Sequence, residues 1–194
     1  MVKPHILAAT LFLPLAFAHQ QQQQPLHPQN NKMAQMADQP SGSPLLGDIL
    51  PLDKQISIFS GFTRSVATIS DLLMNREKNT TVLAPSNVAV SRLPRKPWED
   101  PDDKEYIGVE GEDRASRNLR RFVEAHCIGV SPWDEKARVQ TVEGTEVWWE
   151  WRDGGRWVMP GDIKVAQVKE GCENGQVWVL DGVVGFAYPV YLPL

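Results

Sequence analysis

The apolar pattern of this chain changes period partway along, and that change limits the folds open to it. In the first half Ile56, Phe59, Phe62, Val66, Ile69 and Leu73 recur three or four residues apart, which lines up one stripe of a helix. In the second half, residues 126–130, 137–142, 146–151, 157–158, 163–168 and 176–184 are short runs of extended character set apart by Gly, Pro and Asp. Val147, Trp149 and Trp151 alternate with Trp148, Glu150 and Arg152, and Asp153-Gly154-Gly155 supplies a hairpin turn. Helices followed by strands predict an α+β domain and not an alternating parallel sheet.

Local signals refine this outline. Ser70 and Asp71 restart the helical stripe as a second short helix, with Ser70 as its cap. Thr81-Val82-Leu83-Ala84 is a β-branched apolar run stopped by Pro85, which reads as a buried strand, and Ser86 or Asn87 caps a further helix over about residues 88–93. With 194 residues, 42% of them hydrophobic, the chain can bury one ordinary core.

The ends read differently. Residues 1–18 combine Lys3, an apolar run and a closing Ala16-Phe17-Ala18, the pattern of a secretory signal peptide. Residues 19–51 are rich in Gln, Pro, Asn and Ser, and predict a disordered leader. The domain is placed at 52–184, and 185–194 is a tail too short and proline-broken for a lipid-anchor signal. No segment has the roughly 20 consecutive apolar residues of a spanning helix.

Charge excludes some functions. A formal net charge of −4 argues against a phosphate-neutralising nucleic-acid binder. Residues 99–113 carry eight carboxylates against Lys104, yet a calcium loop fails, because Glu105 stands where the sharp turn of that loop needs Gly. The stretch reads as a solvated loop pairing with Arg114, Arg117, Arg120 and Arg121, three or four apart on a following helix.

Catalytic and metal constellations are thin. His126 is the single histidine between residues 52 and 184, Cys127 beside it would point to the opposite strand face, and no G-x-S-x-G elbow occurs. His19 would head the signal-cleaved chain as a copper ligand, but a run of glutamines gives it no rigid scaffold. No cofactor or metal is expected, and a hydrolase or copper enzyme is the weakest function considered. Cys127 and Cys172 either bridge in an oxidising compartment or stand as one buried and one turn thiol. Asn79-Thr80-Thr81 is a glycosylation sequon at Asn79. Trp148 faces opposite to Trp149 and Trp151, so one set can fill the core while the other stacks on sugar rings or grips a partner.

Two segments then acquire a common meaning. Residues 81–90, Thr81-Val82-Leu83-Ala84-Pro85-Ser86-Asn87 and onward, resemble the first signature of fasciclin domains. Residues 174–184, in which Asn174-Gly175 predicts a tight turn ahead of Val179-Leu180-Asp181-Gly182, resemble the second. Between them, residues 119–128 are similar to the helix that leads to the family's Tyr-His strand, with Ala125 in place of the Tyr before His126. The resemblance implies short helices packed on a mostly antiparallel β-wedge or sandwich. It implies a non-catalytic adhesion or interaction module at a cell surface, in a wall matrix or in the vacuole lumen, with a protein or cell-wall glycan as partner. The alternative is a glycan-binding module built on the Trp hairpin. In adhesion members an Asp-Ile pair close to the second signature carries integrin contact; here Asp162-Ile163 lies further from it.

Overall fold

A computed structural model describes residues 42–97, 99 and 109–185. The expected signal peptide, most of the expected leader, the centre of the acidic loop and the tail from residue 186 lie outside the described residues.

Helices come first. A short α1 (Leu46–Ile49) runs through 3-10 turns at Leu50–Leu52 and Lys54–Ile56 into α2 (Ser57–Ser65) and α3 (Ala67–Met74). After β1 (Thr80–Pro85) follow α4 (Asn87–Ser91) and α5 (Val109–Glu124), and then β2 (Cys127–Ile128), β3 (Val139–Gln140), β4 (Glu146–Arg152), β5 (Gly155–Met159), β6 (Ile163–Cys172) and β7 (Gly175–Leu180). The order across the sheet is β2-β1-β7-β6-β5-β4-β3. Among the described residues only β1 and β7 pair in parallel, in register from Thr80 opposite Gly175 to Pro85 opposite Leu180. The sheet curls until its ends touch: Ile128 bridges Thr141, and the Val142 amide donates to the Cys127 carbonyl at 2.8 Å. The expected α+β class with a mostly antiparallel sheet is what the chain forms.

Alternation along the central strands divides the core in two. Val82, Ala84, Cys127, Val177 and Val179 face the helices and meet Leu46, Leu50, Ile56, Phe59, Ile69, Leu73 and Phe122. Leu83, Ile128, Trp178 and Leu180 face the other way, into the curl of the sheet, with Trp133, Val147, Trp149, Val158 and Ile163. β1 is therefore buried at every position, which is why it reads as an unbroken apolar run.

Three expectations need correction. The helical stripe breaks at Val66, which is extended (φ −112°, ψ 99°), so Ser70 lies inside α3 and caps nothing. Order begins ahead of the expected leader boundary at residue 51: Leu45, Leu46 and Leu50 are buried, in a run too short and too closely fenced by prolines to show a helical period. The β6–β7 turn is Glu173-Asn174, between paired Cys172 and Gly175, one residue ahead of the expected Asn174-Gly175. At the other hairpin, Asp153 and Gly154 both have positive φ (52° and 73°), the mirror-image turn that the Asp-Gly-Gly string favours.

Candidate interaction surface

The signature residues serve the fold. Thr81, Val82, Leu83, Ala84 and Pro85 form buried β1, where the Thr81 hydroxyl donates to the Val130 carbonyl at 2.6 Å. The Ser86 hydroxyl caps α4 by accepting from the Ala89 amide at 3.2 Å. Asn87 turns away from α4: it accepts from the Ile58 amide at 3.0 Å and donates to the Lys54 carbonyl at 2.8 Å, clamping the start of α2. Asn174 is fully buried and joins three segments, accepting from the Leu46 amide at 2.8 Å and donating to the carbonyls of Leu73 at 2.8 Å and Asn75 at 3.1 Å. Val179 and Leu180 fill the two cores, Asp181 is exposed, and a Cβ on Gly182 would press on Ile163 at 3.1 Å.

His126 is a core histidine. Its Nδ1–H donates to the Phe122 carbonyl at 2.7 Å, and its Nε2 accepts from the Val184 amide at 3.1 Å, which fixes the tautomer. Phe122 and Phe59 pack on the ring, with centroids 4.6 and 5.4 Å away. Burial lowers its pKa from 6.5 to about 4, against the smaller upward pull of the Phe122 bond. The unfolded chain therefore binds this proton first, so the stabilisation is whole above pH 6.5 and drains away as pH falls toward 4. The full span is worth about 3 kcal/mol. Urea unfolding between pH 7 and 4 should show a one-proton slope in that window, and His126→Gln, less stable at pH 7, should lose the slope; an unchanged slope would contradict the assignment.

Of the two readings open for Cys127 and Cys172, a bridge or separate thiols, the structure has the second: both are free, Cys127 buried and Cys172 half-buried. Cys127 sits on β2 and Cys172 on β6, three strands apart in the sheet. At about 4.8 Å per strand this is roughly 14 Å, twice what a disulfide spans. Burial, with a smaller contribution from Glu124, pushes the Cys127 thiol up to about 12. Thiol titration in denaturant should count two, and in native buffer Cys172 should react while Cys127 stays silent. A single bridged species on a non-reducing mass measurement would refute this.

The tryptophans do not form one platform. Trp149 is core: its Nε1 donates to the Trp133 carbonyl at 3.0 Å, and its ring meets Trp178 edge-on at 5.6 Å. Trp151 shares that strand face but stands past the end of the core, 59% exposed. Trp148 lies on the outer face, half-buried under Arg138, whose guanidinium sits 3.9 Å above its ring. Trp157 is covered likewise by Arg152 at 4.8 Å. Both arginines are ion-paired, Arg138 with Glu146 at 2.6 Å and Arg152 with Asp162 at 2.7 Å. Of the Asp162-Ile163 pair, Ile163 is buried in the inner core while Asp162 stays exposed and is held by Arg152.

Sequence reasoning missed Arg156. It stands directly opposite Trp151 on β5, on the face that carries Val158 into the inner core. Its guanidinium lies 5.2 Å from the Trp149 ring and 5.1 Å from the Trp178 ring, and its Nε is buried without a hydrogen-bond partner. Counting outward from the Asp153-Gly154-Gly155 turn would have placed it there, since Arg156 is the cross-strand partner of Trp151.

The basic helix is likewise drawn into the fold. On α5, Arg120 pairs with Glu124 at 2.7 Å and Arg121 with Glu143 at 3.2 Å, while most of the acidic loop expected to meet them lies outside the described residues.

Comparison with known proteins agrees with this architecture. A FAS1 domain-containing protein of Neurospora crassa is 50% identical over 148 residues, covering 73% of this chain and 65% of its own length. One from Aspergillus fumigatus is 41% identical over 168 residues, covering 82% of this chain and 72% of its own. The chain thus spans just under two thirds of the Neurospora relative. Among solved structures, a FAS1 domain pair from the insect cell adhesion molecule fasciclin I shares the fold at 14% identity, with a TM-score of 0.52 over 73% of this chain and 51% of that one. The family model for the fasciclin domain matches residues 54–185, and the chain belongs to the fasciclin domain family.

Proposed function

We propose that this chain is a non-catalytic interaction module of the secretory pathway, acting at a cell surface, in a wall matrix or in a vacuole lumen. The observation that carries this reading is the use made of His126: both ring nitrogens are bonded inside the core, which leaves none to take a proton from a nucleophile. The sequence signals support the compartment, with a signal peptide over residues 1–18 and a sequon whose Asn79 is exposed just ahead of β1.

Localisation of a tagged full chain tests the compartment. Signal in a vacuole or at the cell boundary is expected, and a cytosolic distribution would sink the reading. In the same cells endoglycosidase should increase gel mobility, and Asn79→Gln should abolish that change.

A glycan as the partner is favoured over a protein by one feature, the exposed indole of Trp151 with Arg156 directly opposite it on the β4–β5 hairpin. Such surfaces match the apolar faces and hydroxyl rims of sugar rings.

A further inference from the structure

Three arginines lie over indole rings on the β4–β5 hairpin and its neighbours, and they divide two against one. Arg138 and Arg152 are neutralised by Glu146 and Asp162 on the outer face. Arg156, on the inner face, has no hydrogen bond to an acceptor and no ion pair among the described residues, although it is half-buried. A guanidinium carries five N–H donors in a planar fork, and burying it without an acceptor is unfavourable even over aromatic faces. Part of the Arg156 side chain stays open to solvent. The β5–β6 ladder has its last pair at Trp157 and Lys164, so β6 no longer covers Arg156 and Gly155. Trp151, opposite Arg156, is the one large exposed aromatic of this hairpin.

We propose that Arg156 and Trp151 form a binding site for the uronic acid units of an acidic glycan; this rests on the chain being an interaction module and gives that module its ligand class. The carboxylate accepts from the two terminal nitrogens of Arg156, which unlike Nε are not buried, in the charge-assisted fork pairing that guanidinium geometry suits. In a uronic acid the carboxylate is one bond from the pyranose ring, and directly opposed cross-strand side chains are about 5 Å apart at Cβ. The ring consequently falls on the exposed indole of Trp151. At the rim Glu135 accepts from the Trp151 amide at 3.1 Å, and Gln176 accepts from the Trp178 indole N–H at 3.2 Å. Both groups can also meet sugar hydroxyls. A simple anion would use Arg156 alone and a neutral sugar Trp151 alone; the opposed pair selects a ligand with both parts.

The test is titration of the full chain with trigalacturonate, the neutral galactose trimer and acetate, followed by indole fluorescence. Trigalacturonate should bind at least about tenfold more tightly than either of the others, because it alone engages both residues. Arg156→Gln should lower its affinity about tenfold or more, Arg156→Lys should rescue only part, and Trp151→Ala should lower it about fivefold. Trp151 is exposed, so that variant keeps the fold even if Arg156→Gln does not. No binding of trigalacturonate, equal binding of acetate or of the neutral trimer, or full binding by Trp151→Ala would each overturn the assignment. If binding fails while the tagged chain still localises to the cell boundary or vacuole, the uronate site is wrong and the module reading stands.

Discussion

Gly175→Ala should cost this domain a large share of its folding stability. Gly175 opens β7 at φ +147°, in a region where side chains are strained, and a Cβ there would lie 1.8 Å from the Thr80 carbonyl oxygen and 2.8 Å from its carbon. Neither atom can step aside. Thr80 is the partner of Gly175 in the parallel ladder, and its amide donates to the Asn174 carbonyl at 2.9 Å. Relief of the clash must push β1 and β7 apart at the place where both cores meet, with an expected loss of more than about 4 kcal/mol. Most domains have only about 5–15 kcal/mol in total. Circular dichroism of the purified variant checks this; a cooperative transition near that of the wild type would show that the strand entry is softer than its geometry. Gly61→Ala is the matched control. It lies within α2 with nothing inside 4 Å of the added carbon, and should stabilise by about 0.5–1 kcal/mol.

The second large effect is expected at the neighbouring position. Asn174→Ala removes one acceptor and two donors from a fully buried site. The Leu46 amide then has no partner, and the carbonyls at the end of α3 lose theirs, so a cost of about 3 kcal/mol is expected from the orphaned groups alone. Asn174→Asp separates the contributions, since the carboxylate still accepts from Leu46 but meets two carbonyl oxygens with no proton to offer. It should be at least as harmful as alanine above pH 5 and recover on acidification, where a protonated carboxyl donates again. Denaturant midpoints for both variants decide it, and an alanine variant within about 1 kcal/mol of wild type would remove the clamp.

These two positions also show where sequence reasoning reaches. The Asn174-Gly175 string was legible as a turn signal, and its likeness to a family signature placed it correctly near the end of the domain. Its work was not legible, because the partners of Asn174 lie on α1 and α3, and nothing local to residue 174 names them. Val66 shows a second limit. The apolar spacing continues in phase through it, so the break between α2 and α3 lives in one residue's backbone and leaves the pattern untouched. The cysteines show a third: each was correctly placed beside a strand, but their separation follows from strand order, which periodicity does not contain. Alternation put Trp149 and Trp151 on one face, as found. Where the core ends along that face is a tertiary fact, and it separates a buried indole from an exposed one. Arg156 was overlooked because a charged residue in an alternating strand is normally assigned to solvent.

The parallel pairing of β1 with β7 has a consequence for how the domain is made. Leu46 is bonded to Asn174, 128 positions later, and all six residues of β1 find their parallel partners on β7. Contact order is therefore high, and the central sheet has no local nucleus from which β1 could be completed early. During synthesis the helices and β1 emerge first and must wait for β7. Until then Val82 and Ala84 on one face and Leu83 on the other lack the strand that shelters them. A ribosome stalled before Gly175 would carry an aggregation-prone intermediate, so chaperone dependence should end abruptly once residue 180 has cleared the exit tunnel.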